Sequence, residues 1–79
     1  MKMKKQDLKE LRKALPRGSR YLEINQKLKQ KELKEYSHDY IRNVLLGKSP
    51  NNEIIIAAIE VAKEHKDRLE KAMKEFKGE

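Results

Sequence analysis

Two breaks divide a chain otherwise made of helix formers. At Leu15-Pro16-Arg17-Gly18-Ser19, proline drives the residue before it out of the helical region and glycine permits a turn. Gly47-Lys48-Ser49-Pro50-Asn51 is a second stop. Elsewhere Lys, Glu, Leu, Ala, Gln and Arg dominate, all good helix residues. β-Branched residues are few outside Ile54–Ile56, and no hairpin dipeptide lies between alternating apolar runs. The expected fold is all-α.

The spacing predicts four helices. The first covers about Lys4 to Ala14, with Leu8, Leu11 and Leu15 on one stripe. The second covers about Ser19 to Lys31, with Ser19 as N-cap and Tyr21, Ile24 and Leu28 on one face beside Leu22. The third runs from Ser37, a good N-cap, to Leu46, buries Ile41, Val44 and Leu45, and stops at Gly47. The fourth is capped by Asn51 or Asn52 and reaches about Lys77. Its first half, Ile54 to Ala62, is apolar on nearly every side and reads as buried. Its second half carries Glu64–Arg68, Asp67–Lys71 and Glu70–Lys74 at i,i+4 spacing. A chain of 79 residues forms one small domain, with basic helices over 1–50 and a long closing helix over 51–79.

Charge divides along the same line. Lys and Arg number 20 against 13 Asp and Glu, a net of +7. Residues 1–50 hold a net of +8 and residues 51–79 a net of −1. A basic half beside a near-neutral one suggests a surface for a polyanion, or a solvated surface that aids solubility. The start, Met1–Lys5, reads as a basic arm or a frayed terminus. No apolar run follows it, so neither a secretory signal nor a membrane span is expected, and the expected location is cytoplasmic. With no cysteine there is no thiolate nucleophile and no Cys-based zinc site. His38 and His65 lie 27 residues apart without companion ligands, so no metal or other cofactor is expected. No Gly-rich phosphate loop appears, and the carboxylates are spaced as solvated helix charges. No enzyme and no small-molecule substrate are expected.

Ser37–Gly47 is the informative segment. It is short, capped and anchored inside, and it presents Arg42 and Asn43. Arg pairs bidentately with guanine and Asn with adenine, and the major groove of B-DNA admits a helix of this size. Ser37–Gly47, followed by Lys48, Asn51-Asn52 and an Ile/Ala-rich helix, resembles the recognition helix and following helix of phage repressor-like regulators, the helix-turn-helix proteins of lambda repressor and Cro type. Leu15-Pro16-Arg17-Gly18 is similar to the front of a Leu-Pro-Arg-Gly … Ser-x-x-Tyr-Ile/Val … Val-Leu-x-Gly-Lys pattern in small bacterial or phage members. The resemblance covers about residues 8–65. It implies base reading by His38, Asp39, Arg42 and Asn43, a Ser37 that caps and touches phosphate, and a Lys48 that reaches the backbone. The sequence departs from the pattern between Leu28 and Ser37. That stretch is longer than the usual turn and has no glycine, so either the second helix is extended or the turn makes a basic excursion. Asp39 is the other departure. It accepts from cytosine N4, holds Arg42, or suits the helix N-terminus.

Lys27, Lys29, Lys31 and Lys34 lie close in sequence to that helix and are expected to hold phosphates. Tyr40 reads either as a backbone contact or, like Tyr21 and Tyr36, as a half-buried packing residue. In the fourth helix Ile55, Ala62, Leu69, Ala72 and Phe76, with Ala58 and His65, follow a 3-4 spacing. That is a homodimer seam or an intramolecular stripe against Leu8, Leu11 and Leu15. The expected function is sequence-specific duplex DNA binding by a small transcriptional regulator. The alternative is a helical protein–protein adaptor that uses the fourth helix and offers the basic surface to an acidic partner. Membrane-surface association fits less well, because no strong apolar face opposes the lysines.

Overall fold

A computed structural model of the chain describes residues 4–78 and is all-α. The helices are α1 (Lys5–Ala14), α2 (Arg20–Gln30), α3 (His38–Leu45) and α4 (Asn52–Lys77). Their ends follow the expected punctuation. Leu15, held before Pro16, is extended at φ −79°, ψ 147° and closes α1. Ser37 Oγ accepts from Tyr40 N–H at 3.2 Å, and Asn51 Oδ1 accepts from Ile54 N–H at 3.1 Å. Ser19 stands at the N-cap of α2 but makes no capping bond, because its hydroxyl donates to Glu23 Oε2 at 2.6 Å.

One core joins all four helices. Leu8 and Leu11 of α1, Ile24 and Leu28 of α2, and Ile41, Val44 and Leu45 of α3 pack on Ile54, Ala57, Ala58 and Val61 of α4. Fully burying a large aliphatic side chain contributes about 1.5–3 kcal/mol, so this small set holds the helices together. Leu22 lies outside it, 57% exposed.

The second and third helices end in the same way. At the end of α3, Gly47 takes φ +84°, Gly47 N–H donates to Val44 O, and Lys48 N–H donates to Asn43 O. This is a Schellman motif. A Cβ on Gly47 would also stand 3.2 Å from Leu8 Cδ1. At the end of α2 the matching bonds run from Glu32 N–H to Lys29 O and from Leu33 N–H to Leu28 O. Glu32 holds the left-handed position at φ +61°. The glycine missing from this turn is therefore replaced by a strained glutamate. The helix is not extended, and residues 31–37 form the link to α3.

Buried Asn25 fixes the course of that link. Its Nδ2 donates to Tyr36 O at 2.9 Å, and its Oδ1 accepts from Tyr36 N–H at 3.0 Å. The side-chain amide thus pairs with one residue's backbone as a neighbouring strand would.

Helix α4 spans 26 residues, roughly 39 Å. Its two halves differ. Ile55 and Ala62 are buried in the chain's own core, so this part of the stripe is intramolecular. Leu69 and Phe76 are 53% and 83% exposed, and Ala72 is exposed beside them. Glu64 and Arg68 do not pair with each other. Because α2 packs along this side of α4, Glu64 meets Lys27 and Arg68 reaches Glu23 at 3.1 Å. No helix among the described residues is long and apolar enough to cross a membrane.

Candidate nucleic-acid interface

The surface of α3 is set by its period. At 100° per residue, Ile41, Val44 and Leu45 point inward and His38, Arg42, Leu46, Asp39 and Asn43 share the outer arc. His38, Asp39, Arg42 and Leu46 are exposed, whereas Asn43 is half-buried. Asp39 makes no ion pair with Arg42 among the described residues, which leaves both side chains free on that arc. The outer face therefore mixes one cation, one carboxylate, one imidazole and one apolar side chain.

Aromatic contacts hold the start of α3. Tyr21 of α2 stacks on His38 with ring centroids 5.2 Å apart, and Arg20 lies over the Tyr21 ring, 5.5 Å from its centroid. Tyr36 and Tyr40 pack at 5.0 Å, and Lys34 lies 5.9 Å from the Tyr36 centroid. Tyr21, Tyr36 and Tyr40 are all half-buried, which fits packing residues. Tyr40 also lies next to the cap of α4, its hydroxyl 3.5 Å from Asn51 Nδ2.

The expected phosphate set divides. Ser37, Lys29, Lys34 and Lys48 are exposed. Lys27 and Lys31 instead face α4, where Lys27 meets Glu64 and Lys31 meets Glu60 at 2.8 Å. Sequence proximity to α3 does not reveal these pairs, because α2 turns that side toward the closing helix. The third ion pair, Glu23 with Arg68, also joins α2 to α4. The Glu23 carboxyl is held below its ordinary value, first by the Ser19 hydrogen bond and then by Arg68, against an opposing effect of partial burial.

A different group of cations gathers around α3. Lys9, Arg12 and Lys13 of α1, Arg17 of the turn, Arg20 of α2 and Arg42 of α3 line one open cleft of about 690 Å³. Its apolar surface comes from Leu15, Tyr21, Leu45 and Leu46, and no carboxylate lines it. Arg12 is fixed within it, since Nη1 donates to Leu45 O at 2.6 Å in the last turn of α3. A guanidinium there satisfies a helix-terminal carbonyl and complements the helix dipole. The sequence shows three of these cations at i, i+3, i+4 in α1, but nothing local links α1 to Arg42. Their meeting is a product of packing. Among the described residues no cluster of His, Asp and Glu forms a metal site.

Comparison with known proteins finds no matching family model, no matching curated protein and no matching solved structure.

Proposed function

We propose that the chain binds duplex DNA in a sequence-specific way, with α2 and α3 used as a helix-turn-helix and α3 in the major groove. One observation carries this reading. Arg42 stands on the outer arc of a short, capped helix and at the same time on the wall of a cleft lined by cations without a carboxylate. A guanidinium so placed has base edges on one side and strand phosphates on the other.

His38, Asp39, Arg42 and Asn43 are the base-facing residues of this reading. Half-buried Asn43 has the least reach, and exposed Leu46 adds an apolar contact suited to a thymine methyl. Ser37, Lys34 and Lys48 flank the two ends of α3, Tyr40 lies in its first turn, and all four suit phosphate contact; exposed Lys29 lies farther along α2. Lys27 and Lys31 stay with α4. Such a protein fits a small transcriptional regulator of phage or mobile-element type.

The test is direct binding to random duplex DNA, followed by selection of bound sequences. Affinity should fall steeply with salt, with log K losing about 0.9 per phosphate contacted for each tenfold rise. Arg42→Ala should cost about 1–3 kcal/mol on a selected site and relax one base position. A protein that ignores duplex DNA at low salt ends this reading.

The distal half of α4 favours association as well. Leu69, Met73 and Phe76 stand exposed at i, i+4 and i+7 on a helix that leaves the core. A homodimer formed there would present two copies of α3 to a near-palindromic site. A sedimentation mass of one chain at high concentration removes the homodimer and leaves the single-chain reading intact.

A further inference from the structure

The cleft between α1, the 15–19 turn and α3 has its own chemistry, distinct from the base-facing arc. Six cations from four chain segments share it, and no carboxylate lines it. Lys9, Lys13, Arg17, Arg20 and Arg42 form no ion pair among the described residues. The three ion pairs of the described residues all join α2, or Lys31 at its C-cap, to α4, on Glu23, Glu60 and Glu64. The fold therefore neutralises cations along the α2–α4 contact and leaves them unneutralised around the cleft. Gathering like charges this way opposes folding through self-repulsion, and an anion seated among them relieves it.

The shape is suited to an oxyanion on a chain. The cleft is open, so a strand can pass through it. Its walls supply the forked donors of arginine, which match phosphate oxygens bidentately. Arg12 is anchored to the Leu45 carbonyl, which holds the α1 wall against the last turn of α3. Arg42 belongs to both surfaces, so a phosphate in the cleft lies beside the groove that α3 reads.

We propose that this cleft is a phosphate-binding site, filled by the backbone of one DNA strand while α3 lies in the groove. Lys9, Lys13, Arg17 and Arg20 hold phosphates from the α1 side, and Arg42 bridges to the bases. The inference rests on the duplex reading above and adds to it a strand path over α1, in place of one along the lysines of α2.

The experiment measures duplex affinity against salt for the full chain and two paired variants. K9Q/K13Q removes two exposed cleft cations, and K27Q/K31Q removes two that α4 neutralises. The slope of log K against log salt should become shallower by about 1.8 in K9Q/K13Q, at 0.9 per phosphate lost. It should stay near the parent value in K27Q/K31Q. R17Q, outside any helix, should lose about 0.9 by itself. An unchanged slope in K9Q/K13Q and R17Q overturns the cleft assignment while duplex binding stands. Equal flattening in K27Q/K31Q overturns it too, because bulk charge alone would then explain the effect. Failure of the parent chain to bind duplex DNA at all ends the earlier reading instead. Inorganic tripolyphosphate separates the other source of the same chemistry. If it protects the parent chain against thermal unfolding at moderate salt and K9Q/K13Q keeps the duplex slope, the cleft takes a free polyphosphate and the strand path is overturned.

Discussion

At the scale of single residues, two side chains between α2 and α3 control how α3 is presented. Glu32 occupies a left-handed conformation that an L side chain resists by about 1–2 kcal/mol. Glycine relieves that strain but adds unfolded-state entropy worth about 0.4–1 kcal/mol. Glu32→Gly should therefore raise stability by about 0.5–1 kcal/mol in urea denaturation. A lower midpoint would mean that the turn is not a Schellman motif in solution. Asn25 works differently, through two hydrogen bonds to the Tyr36 backbone. Asn25→Ala should cost about 1–3 kcal/mol, because it leaves a partly buried N–H and C=O without partners. Asn25→Asp keeps the acceptor and sets a carboxylate against the Tyr36 carbonyl. Burial beside that oxygen favours the protonated acid, so the Asp variant should regain stability relative to the parent as pH falls and the carboxyl becomes a donor. Parallel pH curves for parent and variant would defeat that account.

At the scale of helices, what the sequence reveals depends on how local the cause is. Ser37 and Asn51 cap their helices as the spacing implies, and Gly47 closes α3, because each effect acts within a few residues. The turn at Glu32 is hidden, since nothing in a glutamate announces a left-handed backbone. The role of Asn25 is hidden because its partner is 11 residues away across a turn. The ion pairs of Lys27 and Lys31 are hidden for the same reason, as their partners lie 37 and 29 residues on. The Ser19–Glu23–Arg68 network is also long-range, and it links the start of α2 to the exposed part of α4. Its pH behaviour follows from the lowered Glu23 carboxyl. A group whose folded value lies below its unfolded one stabilises above the unfolded value and loses that contribution as pH falls through the folded one. Stability should thus begin to fall below the ordinary Glu value of 4.5. Glu23→Gln should show a weaker acid dependence than the parent, and an identical acid limb would mean that Ser19 and Arg68 do not hold this carboxylate.

At the scale of the whole molecule, the net charge of +7 conceals two opposite electrostatic situations. Along α2 and α4 each described ion pair joins helices that also share the core, so charge there supports the fold. Exposed pairs of this kind are worth about 0.2–1 kcal/mol each. Around the α1–α3 cleft six cations line one space with no carboxylate, an arrangement whose self-repulsion opposes the fold. Removing one positive charge should therefore have opposite signs on the two sides. In low salt, Lys27→Gln should lower the thermal midpoint, because it leaves Glu64 without its partner. Lys13→Gln should raise it, because it relieves repulsion within the cleft. Each effect should be a few tenths of a kcal/mol, or about 1–3 °C for a domain of this size. Both should shrink with added salt as screening weakens attraction and repulsion alike. Two midpoints that move in the same direction would show that the cations of the cleft are too far apart to repel, and a cleft that does not repel itself has little reason to hold a phosphate. A gain in stability together with a loss of duplex affinity in Lys13→Gln is the signature of charge retained for binding rather than for folding.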